Sequence, residues 1–178
     1  MEADENGAYW YNYGDSAYLT AVANTGYHFV NWNTGSTDAE YGMVVMANDA
    51  IVANFDTNVY NVTFVAENGT IEGATTVKHF TTEQYVAVPA YGYHFDNWMN
   101  VESNTDTAEL SAVSDTTIIA NFAKNTYTIY AAANDSALGT ISEPVSALYL
   151  DTVTLYAEAI EGYHVENWSN GMTGDSIN

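Results

Sequence analysis

Short runs of apolar and polar residues alternate along the chain, and they predict β-strands. Residues 60–65 alternate and are rich in β-branched and aromatic side chains, and residues 84–88, 93–98 and 117–122 form further short runs separated by turn residues. No stretch of about 11 or more residues shows a convincing helical period, although a single short helix after Trp98 would fit the pattern. The pattern therefore predicts a mainly β fold.

One seven-residue motif occurs three times. Gly-Tyr-His-Phe-Val-Asn-Trp at 26–32 returns at 92–98 with Asp in place of Val, and at 162–168 as Gly-Tyr-His-Val-Glu-Asn-Trp. The copies start 66 and 70 residues apart. A second motif, Ala-Asn-Phe, occurs at 53–55 and again at 120–122. Repetition at a fixed period indicates a tandem array of small β modules, each of about 67 residues.

We divide the chain into repeat 1 (residues 1–57), repeat 2 (residues 58–124) and repeat 3 (residues 125–178). Only repeat 2 contains every segment, because repeat 1 lacks its first strand and repeat 3 lacks its last strands. Modules of this size are small for independent folding, so neighbouring repeats are expected to support one another. Two explanations stay open: the sequence is an excerpt of a longer array, or partial repeats of different molecules complete each other in a head-to-tail filament.

The aromatic residues of the motif are expected to fill the core of each repeat. Strict alternation places Tyr27 and Phe29 on one face of a strand and Trp32 on the other. A one-residue bulge would bring all three to the same side, and Asn31 tolerates the left-handed conformation that some bulges require. The residues assigned to this structural role are Tyr27, Phe29, Trp32, Tyr93, Phe95, Trp98, Tyr163, Val165 and Trp168.

The charge of the chain excludes two classes of partner. Two Lys and Arg residues stand against 23 Asp and Glu residues, which gives a formal net charge of −21 at pH 7. Affinity for nucleic acids and for anionic membranes depends on Lys and Arg, so neither is an expected partner. The absence of cysteine excludes disulfides, thiol catalysis and thiolate metal sites. No apolar run approaches the roughly 20 residues of a membrane-spanning helix, so no membrane insertion is expected.

Histidine is the residue type that most invites a catalytic or metal-binding interpretation. His28, His94 and His164 each occupy the same motif position in a different repeat, and His79 stands alone. One histidine per repeat is not expected to meet the next, so a structural role is favoured for all four. Sequence motifs of serine hydrolases, zinc proteases, phosphate-binding loops and EF-hands are absent. We therefore expect no enzymatic activity and assign no catalytic residue.

The motif and the hairpin that follows it resemble a known family. Gly-Tyr-x-Phe-x-Asn-Trp, a polar loop and Met-Ala-Asn-Asp-Ala-Ile-Val-Ala-Asn-Phe at 46–55 are similar to the divergent internalin B-type B-repeat of the Listeria–Bacteroides group. That family usually has Gly where Asn31 stands and Pro where Ala47 stands, and both replacements are compatible with the same backbone. The resemblance covers residue 7 to the end. It implies a small β-grasp-like module of secreted or surface-anchored bacterial proteins, without catalytic residues.

The loop after each motif Trp is acidic and is the candidate site for calcium. Its carboxylates are Asp38 and Glu40 in repeat 1, Asp106 in repeat 2 and Asp175 in repeat 3. Calcium takes six to eight oxygen ligands at flexible spacing, and such an ion often clamps two modules together. A solvated loop is the alternative, and it is favoured. Calcium is the only cofactor that the sequence leaves open.

Repeat 1 alone carries a row of aromatic residues, namely Tyr9, Trp10, Tyr11 and Tyr13. The aligned positions of repeat 2, residues 75–79, are Thr, Thr, Val, Lys and His. If this segment is a strand, the three tyrosines share one face and offer a flat surface on which sugars stack. Packing against a neighbouring repeat or a partner chain is the alternative, and it is favoured.

Together these observations predict a non-enzymatic structural segment at the bacterial cell surface or outside the cell, acting as an extended stalk or fibre. Its expected partners are neighbouring repeats of the same or another copy of the chain. The alternatives are an adhesive module that binds glycans or surface proteins through exposed aromatic residues, and a subunit of a head-to-tail extracellular filament.

Overall fold

The computed structural model describes residues 9–177, and every regular element in this range is a β-strand. The mainly β class is confirmed. The segment after Trp98, where a short helix would have fitted, is irregular and bent up to the strand that begins at Thr107. No helix that could span a membrane occurs between residues 9 and 177.

The strands follow the three repeats. Those of repeat 1 are β1 (Ser16–Thr20), β2 (Tyr27–Trp32), β3 (Glu40–Val44) and β4 (Ala53–Thr57). Those of repeat 2 are β5 (Val59–Ala66), β6 (Gly69–Glu72), β7 (Thr76–Lys78), β8 (Glu83–Pro89), β9 (Tyr93–Trp98), β10 (Thr107–Leu110) and β11 (Thr116–Lys124). Those of repeat 3 are β12 (Thr126–Ile129), β13 (Gly139–Ile141), β14 (Val145–Leu148), β15 (Leu155–Ala159) and β16 (Ser176–Ile177).

Repeat 2 shows the complete arrangement of strands, and the other repeats reproduce parts of it. Its strands form a three-stranded sheet of order β10-β8-β6 and a four-stranded sheet of order β7-β5-β11-β9. In repeat 1 the pairs β1–β3 and β2–β4 correspond to β8–β10 and β9–β11. In repeat 3, β12–β14 corresponds to β5–β7, and β13-β15-β16 corresponds to β6-β8-β10. Each partial repeat thus keeps the pairings of the strands that it contains.

The chain divides into two compact units, and the division runs through repeat 2. Unit 1 comprises the chain up to Thr63 with Gly73–Tyr85 and Glu109–Thr117. Unit 2 comprises Phe64–Glu72, Val86–Ala108 and the chain from Ile118 onward. The connection from repeat 1 to repeat 2 therefore lies inside unit 1, and the connection from repeat 2 to repeat 3 lies inside unit 2.

Strands β2 and β9 contain the bulge that the spacing of their aromatic residues requires. In the β2–β4 pair, Phe29 lies opposite Phe55 and Asn31 lies opposite Asn54, so Val30 is the extra residue. The register of β9 against β11 shifts in the same way, one residue before the motif Asn. The bulge rotates the motif Trp to the side of the motif Phe, as expected.

The motif Asn plays a different part from the one expected. Asn31 and Asn97 are not among the residues with a left-handed backbone, so that expectation is wrong. Each is instead half of a cross-strand pair: Asn54 Nδ2 donates to Asn31 Oδ1 at 2.7 Å, and Asn121 Nδ2 donates to Asn97 Oδ1 at 3.0 Å. The amide side chains thus hydrogen-bond beside the bulge, where the ladder is locally interrupted.

The motif Trp is buried in repeats 1 and 2, and the loop that follows it accepts a hydrogen bond from the indole N–H. Trp32 is 5% exposed and Trp98 is 7% exposed. Their Nε1 atoms donate to the backbone carbonyls of Asp38 at 2.8 Å and Thr105 at 2.9 Å. The ring centroids of Phe29 and Trp32 are 5.5 Å apart, an ordinary contact distance for aromatic pairs.

The third copy of the motif does not form the expected core strand. Residues 163–168 are irregular, Tyr163 is 56% exposed, and Val165 and Trp168 are half-buried. In repeat 2 the motif strand β9 pairs with β11, and residues 125–177 contain no counterpart of β11. Without that partner the backbone of the motif has no ladder to join, although Trp168 Nε1 still donates to the Gly174 carbonyl at 2.9 Å.

A carboxylate connects the turn before β11 to strand β5. Asp115 Oδ1 accepts a hydrogen bond from the Asn61 backbone N–H at 2.8 Å, and Asn61 Nδ2 lies 3.3 Å from Oδ2. These bonds favour the charged carboxylate, so they hold the pKa of Asp115 below its ordinary value. Their stabilising effect is present above the ordinary pKa and is lost as the pH falls through the lowered pKa of the folded state.

We predict that Asp115→Asn makes the free energy of unfolding less dependent on pH below about pH 5. The matched control is Glu109→Gln, which removes one charge from an exposed side chain of the same unit. Urea unfolding at pH 7, 5, 4 and 3, followed by tryptophan fluorescence, gives the difference from the wild type at each pH. At low pH the protonation of other carboxylates reduces the general repulsion in all three proteins. The difference between Asp115→Asn and the Glu109→Gln control therefore reports the effect of Asp115 itself. Identical pH profiles for the two variants would contradict the prediction.

Candidate functional site at the joints between repeats

Each joint between repeats begins at the glycine of the seven-residue motif. Gly26 and Gly92 are buried and have φ values of 85° and 86°, in the left-handed region that favours glycine. The Gly26 carbonyl accepts a hydrogen bond from the Asn58 N–H at 2.8 Å, and the Gly92 carbonyl accepts one from the Asn125 N–H at 2.8 Å. The first residue of each following repeat is thereby tied to the motif of the repeat before it.

A ring from the following repeat lies against this glycine. The ring is that of His79 in joint 1, between repeats 1 and 2, and that of Tyr149 in joint 2, between repeats 2 and 3. A Cβ atom at Gly26 or Gly92 would overlap it. The ring residue is also fixed by its backbone: the His79 N–H donates to the Asn58 carbonyl at 2.8 Å, and the Tyr149 N–H donates to the Asn125 carbonyl at 2.9 Å. One Asn therefore joins the glycine to the ring residue in each joint.

The motif histidine binds the same Asn through its side chain. His28 Nδ1 lies 3.0 Å from Asn58 Oδ1, and His94 Nδ1 lies 2.9 Å from Asn125 Oδ1. An amide oxygen can only accept, so in both pairs the hydrogen lies on the imidazole Nδ1. The structural role expected for these two histidines is thus a specific one, at the joint.

The motif tyrosine also belongs to the joint. Tyr27 is exposed, and its ring centroid lies 5.8 Å from that of Phe80, while Tyr93 lies 5.8 Å from Tyr149. The expectation that Tyr27 packs in the core with Trp32 is therefore corrected. Although alternation puts Tyr27 on the same face as Phe29, its place at the start of the strand turns it toward the next repeat.

The residue after the ring has an unusual backbone in both joints. Phe80 and Leu150 have φ values of 67° and 68°, a left-handed conformation that costs a residue with a side chain about 1–2 kcal/mol. Both are exposed. The same strained turn thus follows the ring in each joint, which shows that the two joints share a backbone geometry as well as contacts.

The two joints differ in a few side chains. His79 in joint 1 is 7% exposed, with its Nδ1 3.2 Å from the Tyr60 hydroxyl and its ring centroid 4.0 Å from that of Phe80. In joint 2, Lys124 Nζ lies 3.3 Å from Asp151 Oδ1. Because both of these side chains are partly exposed, this ion pair contributes at most about 1 kcal/mol.

Sequence reasoning placed the boundaries between repeats at Asn58 and Asn125, but it did not find the contacts that form the joints. It treated His79 as isolated and assigned no role to Tyr149. A signal was present, because the position of the ring is Tyr13, His79 or Tyr149 in successive repeats. In the folded chain the ring at that position packs on a glycine of the preceding repeat. The residue pattern within one repeat does not reveal a contact with another repeat.

Three calcium candidates, Asp38, Asp106 and Asp175, lie in loops whose backbone supports the core, and the fourth, Glu40, begins β3. The Asp38 carbonyl accepts from the Trp32 indole, and Asp38 Oδ1 accepts from the Glu40 N–H at 3.0 Å. The Asp106 and Asp175 carbonyls accept from backbone N–H groups of β8 and β15 at 2.7 and 2.9 Å. Among residues 9–177, no three His, Asp or Glu side chains lie together as a metal site would require. Calcium binding by these loops stays a prediction.

The aromatic segment of repeat 1 is not a strand, so the expected flat row of three tyrosines does not form. Residues 9–13 are irregular because β7, their counterpart in repeat 2, pairs with β5, and the described part of repeat 1 has no such partner. Tyr13 is 77% exposed. Tyr9, Trp10 and Tyr11 instead line a groove of about 530 Å³, whose floor includes Leu19 of β1 and other apolar side chains.

Comparison with known protein families agrees with the repeats seen in the fold. A family model described as the divergent InlB B-repeat domain matches residues 2–59, 60–126 and 129–177. The chain belongs to this family. The resemblance noted in the sequence is confirmed, and the three B-repeats follow one another in tandem. No curated protein and no solved structure matches the chain.

We predict that Gly92→Ala destabilises the B-repeat array more than the same change at Gly162, which has φ of 87° and open space around it. Both variants pay the left-handed strain of about 1–2 kcal/mol. Only Gly92→Ala must also displace the Tyr149 ring, which adds about 1–3 kcal/mol by overpacking. Gly14→Ala, at φ of 86° and also in open space, is the second control.

The measurement is the free energy of unfolding from urea titrations of the wild type and the three variants. Equal losses in all three variants would mean that backbone strain alone is at work and that ring packing on Gly92 contributes nothing.

Proposed function

We propose that this B-repeat array is a non-enzymatic spacer of a secreted or cell-surface bacterial protein, acting as an extended stalk. The observation that supports the proposal is the repetition of the joint. The hydrogen bond from Asn to Gly is 2.8 Å in both joints, and that from the ring residue to Asn is 2.8 or 2.9 Å. The distance between His and Asn is 3.0 or 2.9 Å.

Short connections add to this support. Strand β4 ends at Thr57 and β5 begins at Val59, while β11 ends at Lys124 and β12 begins at Thr126. Each connection is therefore the single joint Asn, whose backbone and side chain are both hydrogen-bonded. A connection with so few rotatable bonds allows little change in the angle between successive repeats. A spacer needs this rigidity to hold its two ends at a fixed distance.

The charge of the chain suits a spacer that stands among copies of itself. At −21, neighbouring arrays repel one another at low ionic strength and remain separate. The motif histidines His28 and His94, which were candidates for chemistry, form hydrogen bonds within the joints. The proposal therefore assigns binding between successive repeats, rather than catalysis, to the motif.

Distance measurements between successive repeats test the spacer. The chain has no cysteine, so pairs of introduced cysteines can carry spin labels without background. Val22 and Gln84 are exposed on either side of joint 1, within unit 1, and Val88 and Thr154 are their exposed counterparts on either side of joint 2, within unit 2. We predict that Val22→Cys with Gln84→Cys, and Val88→Cys with Thr154→Cys, give narrow distance distributions with the same mean, because the joints are alike.

A Tyr149→Ala background should broaden only the second distribution, and Tyr18→Ala, which removes an exposed tyrosine away from the joints, should broaden neither. Broad distributions for both wild-type pairs would contradict the spacer, since they would describe modules on flexible tethers.

The groove of repeat 1 supports a second candidate, an adhesive module that binds glycans or surface proteins. Tyr9 and Trp10 are exposed at a groove with an apolar floor, an arrangement in which a sugar ring stacks on an aromatic face. The remaining polar groups at the groove include Asn48 and Asp49, which can hydrogen-bond to hydroxyls.

If this candidate is correct, some members of a broad glycan panel quench tryptophan fluorescence on titration, and Tyr11→Ala abolishes the effect. Tyr130→Ala removes an exposed tyrosine outside this groove and should leave the titration unchanged. If no glycan of the panel changes the tryptophan fluorescence of the wild type, glycan binding is rejected.

The filament hypothesis receives less support than the spacer. Repeat 1 has counterparts of β8 and β10 in β1 and β3, and repeat 3 has counterparts of the same two strands in β15 and β16. Two partial repeats from different molecules would therefore duplicate these strands instead of supplying only what the other lacks.

A further inference from the structure

Three tyrosine rings meet at joint 2, namely those of Tyr91, Tyr93 and Tyr149. We propose that Tyr91 and Tyr149 form a site of oxidative coupling, at which a haem peroxidase with hydrogen peroxide joins the two phenols as dityrosine. The new bond would link repeat 2 to repeat 3 and lock joint 2 covalently. The coupling is argued from the geometry of the joint, and its value to the array, a joint that cannot open, rests on the proposed spacer function.

The fold holds the two rings of this pair against each other. The Tyr149 ring lies on the Gly92 backbone, in contact with both tyrosines that flank this glycine in the sequence. The ring centroids of Tyr91 and Tyr149 are 5.7 Å apart at an interplanar angle of 83°, so the edge of one ring faces the other. Groups held at contact distance react with each other far faster than groups that must meet by diffusion.

The surface position of Tyr91 makes it the partner that an oxidant reaches. Its side chain is 87% exposed. Tyr93 lies at a similar distance from Tyr149, 5.8 Å between ring centroids, but it is half-buried at the start of β9. Coupling requires the edges of two rings to meet, and an exposed ring has room to turn into that position. Tyr91 is therefore favoured over Tyr93.

The reaction balances with hydrogen peroxide as the oxidant. Each phenol gives up its O–H proton and one electron and becomes a phenoxyl radical. The two radicals form a carbon–carbon bond between ring carbons adjacent to the carbons that bear oxygen, and the hydrogen on each bonded carbon moves through solvent to the phenol oxygen. Hydrogen peroxide takes up the two protons and two electrons and becomes two water molecules. The protein loses two hydrogen atoms in total.

Joint 1 provides an internal control, because it lacks the two phenols at these positions. The residues equivalent to Tyr91 and Tyr149 are Thr25 and His79. Disulfides cannot lock either joint, since the chain has no cysteine. Covalent locking between successive repeats is thus expected at joint 2 and not at joint 1.

Oxidation of the dilute full chain with a haem peroxidase and hydrogen peroxide tests the site. The monomer is isolated by size exclusion, so that links between molecules are removed. Cleavage after glutamate then places Tyr91 on the peptide of residues 84–102 and Tyr149 on a separate peptide. We expect mass spectrometry to find these two peptides joined with the loss of two hydrogen atoms, and the oxidised monomer to show dityrosine fluorescence.

Phenylalanine variants identify the two rings, because they keep the ring and remove the hydroxyl. Tyr91→Phe and Tyr149→Phe should each lower the yield of the joined peptides by about tenfold or more. Tyr130→Phe, which changes another exposed tyrosine, should leave the yield unchanged. No joined peptides from the wild type, or a yield from Tyr91→Phe equal to that of the wild type, would overturn the proposal; the second result would assign the link to Tyr93.

Building the same pair in joint 1 tests whether the geometry is sufficient. Thr25→Tyr combined with His79→Tyr should add a second link, between the peptides that carry positions 25 and 79. If this variant does not fold, the wild type and the phenylalanine variants still decide the question. The spin-label distances are measured without oxidant and the coupling is measured without labels, so the spacer and the coupling site can fail separately.

Discussion

The packing of a ring on a glycine backbone determines how one B-repeat follows another. Gly26 and Gly92 must be glycine for two reasons: their φ values are positive, and the ring of the next repeat occupies the space where a Cβ would lie. Once the ring is in place, its backbone N–H meets the joint Asn, and that Asn reaches back to the glycine carbonyl and to the motif histidine. The direction of the next strand is then fixed, because that strand begins at the following residue.

The motif itself depends on a partner that is distant in sequence. Three copies carry nearly the same seven residues, yet only the two that face an Ala-Asn-Phe strand are extended, bulged and buried. The third copy keeps its indole hydrogen bond but loses the strand, and Trp168 is only half-buried. The local sequence therefore sets the spacing of the aromatic residues, and pairing with β4 or β11 converts that spacing into a core. Support between segments of this kind is what a module of about 67 residues needs.

These dependences explain which features could be predicted. The period, the mainly β class and the presence of a bulge follow from residues that lie close together in the sequence. Tyr27 was misplaced because alternation gives the face of a strand but not the repeat that this face meets. The aromatic segment at residues 9–13 was expected to be extended, and it is not, because a strand needs a partner as well as a suitable composition. The boundaries between repeats were predicted, but the contacts of the joint were missed because they unite Gly26 with His79, which are far apart in the sequence.

Composition explains why the joints are built from neutral groups. With two basic residues against 23 acidic ones, ion pairs add little to the joints beyond the exposed Lys124–Asp151 pair of joint 2, and added carboxylates would only repel. Amide, carbonyl and hydroxyl groups form hydrogen bonds whatever the charge of the surface, and ring packing on glycine needs no charge at all. Salt and moderate changes of pH, which alter the repulsion between arrays, therefore leave most joint contacts intact. The same arrangement of neutral groups accepts an imidazole in joint 1 and a phenol in joint 2, because packing on the glycine requires only a flat ring of about the right size.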